Sequence, residues 1–136
     1  MAANNSPIFP KIGKTLWGTV ATANTALDGT GTVVTIFTAD ATNGSRVDLI
    51  RVMHAGTNIA TVLRIFINNG STNATAGNNT LYKEVSVAAN TISQTAASVD
   101  MEIPMDLALP AGYKINVTVG TTIAAGLAVS AQGGDY

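Results

Sequence analysis

The chain has 136 residues, a length that suits one domain and excludes an enzyme built from separate cofactor and substrate modules. It has no cysteine, which removes disulfide scaffolds, thiolate metal sites and cysteine nucleophiles and leaves the redox compartment open. Only 11% of residues are charged against 46% hydrophobic, and the net charge is -1 with no basic stripe; this predicts a folded domain and speaks against nucleic acid as a main partner.

No apolar run reaches the roughly 18 residues that a membrane helix needs, so no membrane partner is expected. The polar start MAANNSPIFPKIGK lacks the basic-then-apolar pattern of a signal peptide, which predicts synthesis in a cytoplasm. Nineteen Thr, twelve Val and eleven Ile are stiff at χ1 and suit a pleated surface, so the chain reads as all-β. Gly and Asn fall between the apolar stretches, where turns need them.

In chain order, residues 1–15 carry Pro7 and Pro10 around Ile8 and Phe9 and read as an extended N-terminal arm, leaving 16–136 as a single sandwich domain. Strands are predicted for LWGTVATA from Leu16 and TVVTIFTA from Thr32. RVDLIRVMHA from Arg46 and TVLRIFIN from Thr61 are more continuously apolar, as central or doubly covered strands are. Arg51 and Arg64 interrupt them, and each needs an acidic partner across the sandwich or a contact with another subunit. Residues 68–80, NNGSTNATAGNNT, read as an exposed, mobile polar loop.

LYKEVSVA from Leu81 is the next predicted strand. In SVDMEIPMDL, Val99, Met101, Ile103, Met105 and Leu107 alternate with a wet face that carries Asp100, Glu102 and Asp106. Pro104 cannot donate to a ladder, so this strand lies at a sheet edge or carries a bulge. After the turn LPAG, YKINVTV repeats the alternation and is expected to be its antiparallel neighbour. GLAVSAQ from Gly126 completes eight strands, an antiparallel two-sheet sandwich whose count favours an eight-stranded jelly roll over an immunoglobulin-like order.

Residues that could carry chemistry do not converge. His54 is the sole histidine, at a strand end, with no nucleophile or carboxylate placed to complete a triad, and its role is expected to be structural. The acidic face of residues 100–106 fits protection of a sheet edge better than a cation site, because no calcium-loop spacing accompanies it. Gly29-Thr30-Gly31 and Gly133-Gly134 read as turn and tail glycines, since neither leads from a strand into a helix. No catalytic residue, metal or cofactor is expected.

LRIFINNG from Leu63, LYKEVSVAANT from Leu81, MDLALPAGYKINVTVG from Met105 and the terminal AQGGDY resemble small virion proteins of tailed bacteriophages, especially capsid decoration or cement proteins. The resemblance spans roughly residues 32–136 and rests on hairpin-building turns. It implies a β-sandwich, commonly a homotrimer, on the outer capsid surface, where it bridges neighbouring copies of the major capsid protein. No individual binding residue is carried over by it.

From the residues themselves, Ile8, Phe9 and Pro10 in the arm, with Trp17 just beyond, are the expected partner-binding set. Trp17 is equally suited to a partner or to the chain's own core. A competing reading is a tail or fibre domain that binds a host-surface glycan through loop 68–80 and Trp17. An enzyme centred on His54 is the third.

Overall fold

The structure is a computed structural model that describes residues 9–136. It is an antiparallel two-sheet sandwich of eight strands: β1 (Ile12–Val20), β2 (Val34–Thr38), β3 (Ser45–His54), β4 (Thr61–Asn68), β5 (Asn79–Val87), β6 (Met101–Leu109), β7 (Lys114–Val119) and β8 (Leu127–Asp135). All eight predicted strands are present, with ends shifted by a few residues. One sheet has the order β1-β8-β3-β6 and the other β2-β7-β4-β5. The first four strands pair with the last four in reverse order, β1 with β8, β2 with β7, β3 with β6 and β4 with β5.

Alternation dictates what fills the space between the sheets. Val47, Ile50, Val52, Ile103, Leu127 and Val129 from the first sheet meet Phe37, Leu63, Ile65, Ile115, Val117 and Val119 from the second, all nearly or fully buried. The two continuously apolar strands, β3 and β4, are each one of the two interior strands of their sheet. β4 is covered on both faces, for Phe66, on the side opposite Ile65, is fully buried outside the main cluster.

Several expectations change. YKINVTV does not pair with the strand before it. β7 crosses to the other sheet and lies between β2 and β4, because almost every residue of it is buried and an interior position is what such a strand can fill. Strand β1 begins at Ile12, so residues 12–15 belong to the sheet rather than to an arm; Gly13 and Thr15 pair with Gly134 and Gln132 despite the weak apolar alternation. Loop 68–80 is exposed but tied down: Asn73 Nδ2 donates to the carbonyls of Gly29 and Gly31, and Asn79 Nδ2 to that of Asp28. Its asparagines act as short cross-links to the loop between β1 and β2, and the two loops roof the outer face of β4 and β7.

Gly133 and Gly134 are not tail residues either, for they lie inside β8. A Cβ at Gly133 would fall 1.8 Å from the Arg46 carbonyl oxygen, and one at Gly134 would meet Pro10 Cβ at 2.6 Å. Both glycines let neighbouring backbone pass close to β8, beside the register shift between Val47 and Leu49.

Candidate functional site

The one chain edge where the predicted partner-binding residues gather is β1. Along it Lys14, Leu16, Gly18 and Val20 point inward and Gly13, Thr15, Trp17 and Thr19 outward, as a period of two requires. Gly18 is needed on the inner side, since a Cβ there would meet Val34 Cγ1 at 2.6 Å. This parity carries Trp17 out of the core, and it is 74% exposed. Phe9 is 70% exposed just before the strand and Ile12 64% exposed at its start. Pro10 is half-buried against Gly134. Ile8 lies outside the described residues.

Trp17 stands opposite Ser130 of β8, which is opposite Arg51 of β3, which is opposite Glu102 of β6. This row crosses the outer face of the first sheet. Arg51 Nη1 and Nη2 donate to Asp100 and Glu102, and Arg46 donates to Asp48 and Asp106, so the acidic residues around β6 serve ion pairs within the sheet. Arg64 likewise donates to Glu84 on the adjacent strand. Arg51 and Arg64 are thus paired along their own sheets and not across the sandwich, the first of the two arrangements expected for them: a cross-sandwich pair would have to displace the apolar core. Asp106 has a φ of 45° at the bulge opposite Asp48, a left-handed position that Asp tolerates better than most residues.

His54 ends β3, and its Nδ1 lies 3.2 Å from Asn58 Nδ2. Asn58 is itself buried, donating to the Gly126 carbonyl and accepting from the Ala125 N–H. The imidazole therefore abuts a loop knot made by an amide side chain. Among the described residues, no group of three or more His, Asp or Glu gathers as a metal site would require.

On the opposite side of the molecule, a polar cleft of about 180 Å³ opens between loop 70–73 and the outer face of the second sheet. Lys114, Asn116, Asn68 and Thr35 form its floor. Asn116 is buried and accepts from Thr35 Oγ1. A wider, shallow trough of about 600 Å³ lies over Val62, Arg64 and Ser86. Loop 68–80 and Trp17, which the glycan reading joined in one site, stand on opposite faces of the sandwich.

No family model, curated protein or solved structure matches this chain. Ile12 was missed as a surface residue because a lone Ile beside Lys and Gly gives no periodic signal. The openness of the β1 edge was legible only in what LWGTV lacks, namely Pro and outward charge.

Proposed function

We propose that this chain is a virion structural protein that decorates a tailed-phage capsid and stabilises it by bridging neighbouring copies of the major capsid protein. We read the strand order as that of an eight-stranded jelly roll, since the pairing of β1–β4 with β8–β5 is what a long hairpin gives when it is wrapped into two sheets. The observation that carries the reading is the exposure of Phe9, Ile12 and Trp17 on and just before the edge strand β1, in a domain whose large apolar side chains mostly fill the core; Leu27, Ile59, Ile92 and Val99 are exposed elsewhere. Such a ring and its aliphatic neighbours suit a contact that excludes water. In a symmetric shell, many weak contacts of this kind add through multivalency.

The test is co-sedimentation of the purified protein with assembled shells. Removal of residues 1–10, which spares β1, and Trp17→Ala should each lower occupancy at least tenfold while leaving the domain folded. Full occupancy by both variants would reject the reading.

A second reading, a tail or fibre domain that binds a host-surface glycan, is favoured by the polar cleft at Lys114 and Asn116. It predicts a glycan-array signal that Asn116→Ala abolishes and Trp17→Ala does not touch.

A further inference from the structure

The sandwich has four edge strands, β1 and β6 in one sheet and β2 and β5 in the other. An open edge presents alternate N–H and C=O groups to any extended chain, and proteins block such edges with proline, charge, bulges or brevity. Three of these edges are blocked. β6 has Pro104, outward Glu102 and Asp106, and a bulge against β3. β5 has Lys83, Glu84 and a register shift opposite Ile65 and Phe66. β2 is only five residues long and shifts register between Thr35 and Phe37.

β1 has none of these devices. Its nine residues pair with β8 in unbroken register, without proline. Its single charge, Lys14, is turned inward, where Nζ lies 3.1 Å from Asp135 Oδ1 and 2.6 Å from the Thr38 carbonyl oxygen. The residues it does expose, Ile12, Gly13, Thr15, Trp17 and Thr19, carry no charge.

We infer that β1 pairs antiparallel with β1 of a second copy of this chain about a twofold axis at Leu16, joining two four-stranded sheets into one of eight strands. The inference deepens the proposal above by naming one partner of the β1 edge, and it rests on that reading. A twofold contact presents the same patch from both sides, so the strand must be complementary to itself. Centred on Leu16, the register uses all nine residues and sets Ile12 opposite the partner's Val20, Lys14 opposite the partner's Gly18 and Thr15 opposite the partner's Trp17. The two lysines are then four residues apart along the strand, about 13 Å by strand rise. That exceeds the screening length of roughly 8 Å at physiological salt, and each lysine keeps its own aspartate. The two tryptophan rings fall on the same outer face in diagonal positions about 7–8 Å apart, close enough for large rings to cover each other.

The experiment is sedimentation equilibrium of the full chain over a wide concentration range, with Trp17 fluorescence followed in parallel. A concentration-dependent dimer is expected, with a blue shift of the emission that tracks the same isotherm. Thr15→Glu places two like charges beside the axis and should raise the dimer dissociation constant at least tenfold, as should Thr15→Lys. Mixing the two variants should restore the dimer, a rescue that misfolded chains cannot give. A monomer at every concentration, a trimer, or a dimer indifferent to Thr15→Glu overturns the pairing. Shell binding by a chain that stays monomeric overturns the pairing and leaves the virion reading standing. A dimer that ignores shells supports the pairing and counts against the virion reading alone.

Discussion

Lys14 Nζ lies 3.1 Å from Asp135 Oδ1, so the only charge of β1 is held by the last residue of the strand beside it. Ser45 Oγ also donates to Asp135 Oδ1, and Lys14 stands over the Phe37 ring, 5.1 Å from its centroid. One contact thereby ties β1, β2, β3 and β8 together at the same end of the sandwich. It also leaves the outer side of β1 uncharged. Both lysine and aspartate are largely screened from water, so Asp135→Ala strands a half-buried ammonium and a serine hydroxyl. Urea unfolding should show a loss of about 2 kcal/mol, the range of a hydrogen bond to a charged group.

Glycines on either side of the β1–β8 ladder give a graded test of backbone approach. Gly133→Ala drives a methyl group into the Arg46 carbonyl and should cost about 1–3 kcal/mol as β3 and β8 separate, with loss measured by thermal or urea unfolding. Gly13→Ala meets nothing within 4 Å and lies at no positive φ, so it should be neutral or stabilise by roughly 0.5 kcal/mol through the unfolded state.

Phe66 faces away from the main core yet is fully buried. With loops 24–33 and 69–78 over that face, Phe66→Ala should cost about 3–5 kcal/mol, the usual penalty for a core aromatic. Glu102→Gln, which weakens an exposed pair with Arg51 on the other sheet, should change stability by less than about 1 kcal/mol. Similar losses from the two variants would contradict the roofed face.

The backbone N–H groups of Asn43, chiefly, and Thr42 donate to Asp40 and hold its carboxyl below the ordinary value of 3.8. A carboxyl depressed in the folded state adds stability above its unfolded pKa, and that contribution fades as pH falls through the lower folded value. Melting temperatures of the protein and of Asp40→Asn should therefore differ at neutral pH and converge in acid. A gap that persists unchanged to the most acidic pH at which the protein folds would contradict the assignment.

Strand existence was legible because eight stretches rich in β-branched residues stand between glycine and asparagine clusters. Pro104 placed β6 correctly, since a missing donor is tolerated at an edge beside a bulge. Sheet membership of YKINVTV was not legible. Alternation shows which side chains share a face but not which neighbour receives them, and nothing in YKINVTV signals that its polar face, Asn116 and Thr118, is buried as well as Ile115 and Val117. Loop 68–80 was misread for a related reason: its asparagines look like solvated polar filler until the carbonyls of Gly29 and Gly31 come within their reach. At the candidate site, Phe9, Pro10 and Trp17 were visible as apolar residues without an obvious core role. The open edge they accompany became visible only once the other three edges could be compared with it.

The proposed role is adhesive: the sandwich would supply surface, in many copies, to a larger lattice. Electron microscopy of purified particles that carry the chain tests it most directly. Density for the sandwich is expected at many symmetry-related positions on the outer capsid, with the Trp17 side of β1 in an interface. Absence from the capsid lattice, or a capsid-bound sandwich with β1 turned to solvent, would contradict it.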